Sequence, residues 1–317
     1  MDALIEARGL SKSYGDRLAV DGLTFKVPRG GIYGILGPNG AGKSSTMRMV
    51  VGVIAPTAGE VLFDGASLTR KAQRRIGFLP EERGLYRAMT PRAAIVYFAR
   101  LKGMKASAAR KKAKALLAEH GLADRGHKKI RTLSKGLAQK VQLLASIAHE
   151  PDLMVLDEPF SGLDPVNQQC REAMFRAHAA AGKTVVFSTH VMEHAERMCD
   201  RILLIAKGRM AFEGEVKDAL AHAPRSAVVE TEAGFDLAVA LAPAGFRAVR
   251  EGQGSSQAPS RFRVDLSNGA DAKRLLAAAI QAGAPLTAFE PSRVSLHEAF
   301  VALVGPSATA LSGGGDA

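Results

Sequence analysis

Short apolar runs separated by glycine-rich turns make up the start of the chain. The segments LIEARGL and LAVDGLTFKV alternate apolar with polar residues, whereas GIYGIL is almost continuously apolar. Alternation predicts half-buried strands, and a short apolar run bounded by turns predicts a buried strand. The later segment STMRMVVGVI carries its apolar residues at helical spacing. The pattern therefore predicts strands, then a glycine-rich loop, then a helix.

Helical and strand-like patterns alternate further along. The stretch 88–149 is rich in helix-forming residues and predicts a helical subdomain. It is followed by two apolar runs, LMVLDE and TVVFSTH, with a helical stretch between them. Apolar strands that alternate with helices predict a parallel sheet buried on both faces. We therefore expect a first α/β domain over 1–219, with a mixed sheet core.

A smaller α+β domain is expected over 220–305. Its pattern reads strand, helix, strand, strand, helix, strand, at 227–232, 235–241, 246–250, 261–266, 271–282 and 286–289. That order resembles a ferredoxin-like unit. The last residues, 306–317, are small and polar, and we expect them to be a disordered tail.

Composition excludes several classes of protein. The chain has 317 residues, of which 47% are hydrophobic and 23% charged, as in globular proteins. No run approaches the ~18 apolar residues that span a bilayer, and the first residues lack the layout of a signal peptide. We therefore expect a cytoplasmic protein.

The net charge of +12 is unevenly distributed. Segment 100–131 holds eleven Lys or Arg against two acidic residues, a net of +9, whereas eight basic and nine acidic residues from 221 onward give −1. Such a segment fits a solvated helical face, a docking surface near anionic lipid, or a nucleic-acid footprint. Charge alone does not choose among these.

The glycine-rich loop has the Walker A pattern, GPNGAGKS at 37–44. Glycines allow backbone N–H groups to converge on phosphate oxygens, which a Cβ would obstruct. Lys43 is expected to reach the β- and γ-phosphates, and Ser44 to offer its hydroxyl to Mg²⁺. The predicted nucleotide contacts of this loop are Gly37, Pro38, Asn39, Gly40, Ala41, Gly42, Lys43, Ser44 and Ser45.

Two adjacent carboxylates, Asp157 and Glu158, follow the apolar run 153–156. Because neighbouring strand residues point to opposite sides, we expect the two carboxylates to have separate tasks. Asp157 is the candidate metal ligand, and Glu158 is the candidate general base for an attacking water.

Segment 133–143, LSKGLAQKVQL, resembles the signature motif of ABC ATPases and precedes the carboxylates by the interval seen in that family. Three more elements match the family in order: Tyr14 ahead of the loop, SGLD at 161–164, and STH ending at His190. The resemblance implies a P-loop ABC-type ATPase fold.

The resemblance also implies roles for individual residues. Tyr14 would stack on adenine, while His190 would contact the γ-phosphate and the attacking water. Asp164 would act at a dimer interface. Two copies of the domain would enclose two ATP molecules, with Ser134 and Gly136 of one copy completing the site of the other.

Two further segments resemble the ATP-binding subunits of bacterial ABC-2-type exporters, the sodium-efflux and drug-resistance kind: VSLHEAFVALVG and GFLPEERGLY. The chain departs from the wider family at Glu81, where a glutamine is usual, and at Lys135 and Leu137 in the signature. We expect Glu81 to contact nucleotide and Mg²⁺, with its charge partly neutralised by Mg²⁺ or Arg83.

These expectations describe an ATPase subunit that uses ATP and Mg²⁺, with Lys43, Glu158 and His190 as catalytic groups. Its partners would be a second copy of itself and a separate ABC-2-type permease holding it at the cytoplasmic face of the membrane. No nucleic-acid partner is expected. One alternative is a soluble ABC ATPase that acts on nucleic acid, which the basic segment favours. The other is a regulatory module that binds nucleotide without turnover.

Overall fold

The chain forms two compact units in the computed structural model, which describes residues 2–82, 84–251, 260–266, 271–292 and 294–305. One unit runs to Val216 and the other from Lys217 to Gly305. The predictions for Arg83, for most of the polar loop at 251–260 and for the tail 306–317 fall outside the described residues. Within the described ranges, no helix has the length and apolar character needed to cross a membrane.

The first unit is built from strands and helices in alternation. Its strands are β1 (Ala3–Tyr14), β2 (Arg17–Pro28), β3 (Gly31–Leu36), β4 (Ala58–Phe63), β5 (Ala66–Ser67), β6 (Ile76–Leu79), β7 (Leu153–Leu156), β8 (Thr184–Thr189), β9 (Arg201–Ala206) and β10 (Arg209–Glu215). Its helices are α1 (Lys43–Val50), α2 (Arg70–Gln73), α3 (Pro91–Leu101), α4 (Ala106–Glu119), α5 (Lys135–Ile147), α6 (Pro165–Ala180) and α7 (Met192–Met198), and α8 (Val216–Leu220) begins where the unit ends.

A six-stranded sheet in the order β10-β9-β3-β8-β7-β6 forms the centre of this unit. Its neighbouring strands are parallel except for the antiparallel pair of β9 and β10. Every residue of β7 and β8 is buried, as expected for strands covered on both faces. Because β3, β7 and β8 are parallel, the loops that follow them emerge at the same edge. This edge brings together the glycine loop, the paired carboxylates and His190.

A second sheet, β2-β1-β4-β5, is antiparallel and packs onto the same core. Helices α3, α4 and α5 enclose a separate apolar cluster. The buried members of that cluster include Ile95, Leu116 and Leu144, which lie on the inward faces of the three helices. The predicted mixed sheet with a helical subdomain is therefore confirmed.

The second unit contains a four-stranded antiparallel sheet in the order β12-β13-β11-β14, which is the ferredoxin-like strand order. Its strands are β11 (Ser226–Thr231), β12 (Ala248–Glu251), β13 (Ser260–Asp265) and β14 (Leu286–Pro291), and its helices are α9 (Leu237–Leu241), α10 (Ala272–Gln281) and α11 (Leu296–Val304). Helix α9 begins later than the predicted residue 235, because the Asp236 side chain accepts hydrogen bonds from the N–H groups of Ala238 and Val239 and so caps the helix. The predicted α+β character is confirmed.

Candidate functional site

The glycine loop between β3 and α1 needs residues without a side chain at two positions. Gly37 and Gly42 have φ of 153° and 104°. A Cβ on Gly37 would lie 2.1 Å from the carbonyl oxygen of Ile205, and one on Gly42 would lie 2.5 Å from that of Ala19. Both obstacles are backbone atoms, so they cannot rotate away. The loop is therefore pressed between neighbouring strands, in a glycine-rich conformation of the kind that can direct backbone N–H groups at an anion.

Lys43 opens helix α1 and is only 6% exposed. Its Nζ donates to the carbonyl oxygens of Gly37 and Pro38, at 2.8 and 3.2 Å. It also lies 3.4 Å from Oε1 of Glu158. Two backbone carbonyls and one carboxylate therefore hold the ammonium group over the loop, where a phosphate oxygen is the natural further partner.

Ser44 and Asp157 form the opposite side of the site. The Ser44 hydroxyl donates to Oδ1 of Asp157 at 3.1 Å, and the Ser188 hydroxyl donates to the same oxygen at 2.6 Å. Asp157 is 1% exposed, yet its Oδ2 has no hydrogen-bond partner among the described residues. A buried carboxylate oxygen without a partner is costly, and a hydroxyl beside it completes an oxygen donor set of the kind that Mg²⁺ prefers. These residues fit the metal.

Glu158 adopts a left-handed backbone conformation, with φ of 45°. Strand β7 ends at Leu156, so strand alternation does not separate the two carboxylates, and that part of our expectation is wrong. The chain turns sharply instead, and the Ser188 hydroxyl accepts the N–H of Glu158 at 2.9 Å. Non-glycine residues in this conformation concentrate at functional sites, because the surrounding structure must hold them there.

The Glu158 carboxylate lies close to the His190 imidazole and the Lys43 ammonium group. Its Oε1 lies 3.0 Å from Nδ1 of His190 and 3.4 Å from Nζ of Lys43. The three predicted catalytic residues, from three different loops, are thus brought into one cluster. The carboxylate is in reach of hydrogen-bond donors that can fix its direction.

Glu81 follows β6 and lies in the wall of the same cavity. Partial burial raises the pKa of its carboxyl group, the negative charges of Asp157 and Glu158 raise it further, and the positive charge of Lys43 opposes them. A cation bound nearby would stabilise the ionised form of the Glu81 carboxyl group.

A cavity of about 620 Å³ lies over the glycine loop. Its wall contains Tyr14, Asn39, Gly40, Ala41, Gly42, Lys43, Ser44, Ser45, Glu81, Glu158 and His190 from among the predicted site residues. The Tyr14 hydroxyl lies 3.4 Å from the Ser45 hydroxyl, and 46% of this residue is exposed, so that its ring is open to a planar ligand.

Six predicted residues do not line this cavity, namely Gly37, Pro38, Ser134, Gly136, Asp157 and Asp164. The carbonyl oxygens of Gly37 and Pro38 accept from Lys43, and Asp157 accepts from Ser44, so these three contact residues of the cavity wall. The other three lie at the starts of helices. Ser134 caps α5 by accepting the N–H of Leu137 at 3.4 Å, and Gly136 has open space where a Cβ would project. Asp164 caps α6 by accepting the N–H of Asn167 at 3.1 Å. Within the described chain, these residues serve helix starts, and the nucleotide loop does not use them.

Sequence reasoning missed several residues of the site. Arg17 lines the cavity, with its guanidinium 3.7 Å from where a Cβ on Gly40 would lie. Ser188 links both carboxylates, and Ser161 lines the cavity wall. Ser188 and Ser161 belong to the segments STH and SGLD, so their signal was present, whereas an arginine at the start of β2 carries none.

Together these groups can bind a polyphosphate, hold a divalent cation beside it, and orient a water molecule. That is the arrangement phosphoryl transfer to water requires, since catalysis there is mostly positioning and stabilisation of charge.

Comparison with known protein families and sequences gives a consistent picture. Residues 20–161 match the family model described as ABC transporter. The uncharacterized ABC transporter ATP-binding protein YhaQ of Bacillus subtilis is 41% identical over 209 residues, which cover 66% of this chain and 70% of that protein. The Nod factor export ATP-binding protein I of Burkholderia orbicola is 40% identical over 238 residues, covering 74% and 75% of the two chains.

Solved structures give the same answer. An ATP-binding subunit of an ABC transporter superposes with a TM-score of 0.63 and 30% identity, covering 68% of this chain and 91% of that one. The protein cbiO1 from Clostridium perfringens, part of the ABC transporter complex cbiONQ, superposes with a TM-score of 0.61 and 26% identity. The match covers 70% of this chain and 92% of that one.

Proposed function

This chain belongs to the ABC transporter family as an ATP-binding subunit that hydrolyses ATP to drive transport, and we propose that it serves an ABC-2-type exporter whose permease is a separate chain. The observation that carries the ATP-hydrolysing role is the cluster of Lys43, Glu158 and His190 beside a glycine loop that has no room for a Cβ at Gly37 or Gly42. Through that permease, the subunit would lie at the cytoplasmic face of the membrane.

Each residue of the cluster has a chemical task in hydrolysis. The N–H groups of the loop and Lys43 bind the phosphates, and their positive charge stabilises negative charge that develops on the transferred group. Glu158 accepts a proton from the attacking water, whose position His190 helps to fix. The Ser188 hydroxyl holds the backbone of Glu158, so the base points in one direction.

Magnesium would be held by Ser44 and Asp157, with Glu81 near enough to join them. A bound ion would neutralise negative charge on the phosphates. The unpartnered Oδ2 of Asp157 supports this assignment, because a metal ion or a metal-bound water would give this oxygen a partner.

We propose a homodimer as the working form, because the signature residues lie outside the nucleotide cavity of their own chain. Ser134 and Gly136 stand at the open start of α5, where a hydroxyl and free N–H groups suit a phosphate. A second copy that presents this start to the cavity would complete it.

An apolar groove of about 400 Å³ is the candidate contact for the permease. Its walls come from the core sheet and the helical subdomain, and include Phe78, Phe98 and Leu101. Pro80, next to Glu81, also lines it, so an occupant of the groove would touch the segment that carries a carboxylate of the ATP site. An apolar permease segment there could sense the nucleotide state.

The exporter branch is supported by the relative named for Nod factor export and by the terminal segment 294–305, which forms α11 with a complete capping box. The capping box joins Ser295 and Glu298, whose side chains bond reciprocally to each other's backbone N–H.

The test is reconstitution with the six-span permease that the exporter branch implies, taken from a neighbouring reading frame. We expect permease in vesicles to raise the ATPase rate, and Leu101→Arg to abolish the stimulation while sparing the basal rate. Ile280→Arg, another exposed apolar residue, on α10, is the matched control and should behave as wild type. Stimulation by RNA or DNA in place of permease would favour the nucleic-acid alternative instead. Nucleotide binding without steady-state turnover would favour the regulatory one.

A further inference from the structure

The outward face of helix α4 carries a cluster of basic side chains. Arg110, Lys111 and Lys114 fall within an arc of ~100° on the helix, and Lys105 stands at its N-cap. All four are exposed. We refer to Lys105, Arg110, Lys111 and Lys114 as the α4 basic face.

No carboxylate of the described residues neutralises this face. Among the described residues, none of its four side chains has an acidic partner within ion-pair distance. The contrast is Lys112, which lies ~100° further round the helix and pairs with Glu150 at 2.5 Å. The chain thus pairs a lysine on one flank of α4 while leaving the outward face positive.

The arrangement is unfavourable for the isolated helix. Arg110 and Lys114 are four residues apart, and Lys111 and Lys114 are three apart, spacings at which like charges repel. Lys105 places a cation at the positive end of the helix dipole, and its side chain makes no capping hydrogen bond. An anionic partner would relieve both effects.

The residues between the cations indicate which anion fits. The other exposed positions on and beside this face are small, namely Ser107, Ala108, Ala115 and Ala118, apart from Glu119 at the C-terminal end of the helix. Proteins that bind single-stranded nucleic acid place aromatic rings for base stacking, and sequence readers place amides for base edges. The sequence of α4, ASAARKKAKALLAE, has neither. A smooth cationic face suits a layer of phosphate headgroups better.

The position of the face also favours a membrane. Lys105 follows Leu101 of the apolar groove by four residues, so their Cα atoms are no more than ~15 Å apart. A subunit that docks a permease in that groove holds the start of α4 beside a membrane protein. This step rests on the proposed function, whereas the charge pattern does not.

We propose that the α4 basic face binds the anionic phospholipid headgroups of the membrane surface. Each lysine or arginine near such a surface strengthens partitioning about fivefold. Loss of three such basic residues should weaken partitioning to the membrane surface by roughly 100-fold.

The experiment measures sedimentation of the full-length protein with vesicles. Equal parts of phosphatidylglycerol and phosphatidylcholine are compared with phosphatidylcholine alone. We expect binding only to the anionic vesicles, and a roughly 100-fold loss in Arg110→Gln/Lys111→Gln/Lys114→Gln. Raising the ionic strength from about 0.1 M to about 1 M should release the wild type, because the Debye length falls from ~10 Å to ~3 Å.

Two controls separate the face from net charge. The variant Lys26→Gln/Lys207→Gln/Arg209→Gln removes the same formal charge from exposed positions elsewhere in the unit. Its affinity for anionic vesicles should fall by less than about tenfold. Lys112→Gln should change binding less than Lys111→Gln. An equal loss in the triple control would overturn the proposal, as would equal binding to both kinds of vesicle.

Nucleic acid is tested alongside. If a short mixed-sequence DNA duplex binds and the α4 triple variant abolishes that binding while vesicle binding is absent, the face is a nucleic-acid surface and the proposal fails. Basal ATPase activity reports folding, since the face lies outside the catalytic cluster. If the triple variant loses ATPase activity, the three single variants are used in its place. Each is expected to weaken vesicle binding about fivefold.

Vesicle binding by this chain requires neither hydrolysis nor permease. Loss of permease stimulation would therefore defeat the proposed function without touching the lipid result, and absence of lipid binding would leave the ATPase assignment intact.

Discussion

At the scale of single residues, buried polar groups define the site. Asp157, Glu158 and Lys43 lie at the sheet edge with little exposure, and each depends on specific donors or acceptors. Removing solvent strengthens the attraction between such groups and also makes each unsatisfied atom costly. A ligand that bonds to the unpartnered oxygen of Asp157 should therefore stabilise this buried cluster.

Glu158→Gln should keep ATP binding and reduce hydrolysis by about 10²- to 10⁴-fold, because the amide retains the shape of the side chain but cannot accept the proton. Single-turnover hydrolysis and ATP affinity measure the two effects separately. Glu193→Gln, an exposed neighbour on α7, should leave both unchanged. Hydrolysis at the wild-type rate in Glu158→Gln would remove this residue from the role of base.

His149 should make stability depend on pH. Burial, together with the charge of Lys102, lowers the pKa of His149 to about 4, although a contact with the carbonyl of Ile76 opposes the change. The folded state thus prefers the neutral ring, and its contribution is complete above the unfolded pKa of ~6.5 and is lost as pH falls towards 4.

Urea unfolding at about pH 7.5 and about pH 5 measures this effect. Wild type should lose more stability than His149→Gln across the interval, by at most roughly 2 kcal/mol. His127→Gln, at an exposed position, serves as control. Identical pH dependence in wild type and His149→Gln would show that folding does not lower the pKa of His149.

At the scale of elements, the parallel strands decide where chemistry is placed. Strands β3, β7 and β8 pair in register, so the residues that follow them meet although they are far apart in sequence. The connection from β3 to α1 is so closely packed that glycine is required. The loop is positioned by the backbone of β2 and β9 rather than by its own residues.

Gly42→Ala tests this packing. Gly42 and Gly182 both have positive φ, but a Cβ on Gly42 meets the carbonyl of Ala19 at 2.5 Å, whereas one on Gly182 meets nothing within 4 Å. Gly182→Ala should therefore carry only the backbone penalty of about 1–2 kcal/mol and bind ATP normally. Gly42→Ala should weaken ATP binding on the order of 100-fold, because the loop must move away from phosphate-binding geometry. Equal ATP affinities would contradict the role of packing.

At the scale of the whole molecule, the first unit holds the parts of an ATP site in two places. The nucleotide cavity is lined by the glycine loop and the carboxylates, and the start of α5 lies outside its wall. In the proposed two-fold dimer, each copy would supply the start of α5 that the other copy's cavity lacks.

Complementation tests the shared site. Lys43→Ala and Gly136→Arg should each abolish hydrolysis, since the first removes a phosphate ligand and the second fills the open start of α5 without disturbing its own chain. An equal mixture should recover roughly a quarter of wild-type activity, because half of the dimers are mixed and each contains one intact site. Recovery absent from the mixture, or full activity in Gly136→Arg alone, would show that each chain works by itself.

Much of this protein could be predicted from sequence. Local rules were sufficient for the glycine loop, because the spacing of Gly37, Gly42 and Lys43 is typical of a phosphate-binding loop. They also gave the buried strands, the helical subdomain and the order of strands and helices along the smaller unit, where alternation and turn residues agree. The capping of α9 by Asp236 shifted one helix start, since a side-chain hydrogen bond can outweigh helical periodicity.

Tertiary structure alone decided the rest. Ser188 and Arg17 join the site because strands distant in sequence lie side by side, and no local pattern records such pairing. The left-handed turn at Glu158 replaced the expected strand alternation for the same reason, because its N–H finds the Ser188 hydroxyl on a neighbouring strand. Sequence determines which groups are present and how most short segments fold. Only three-dimensional packing determines which of them meet.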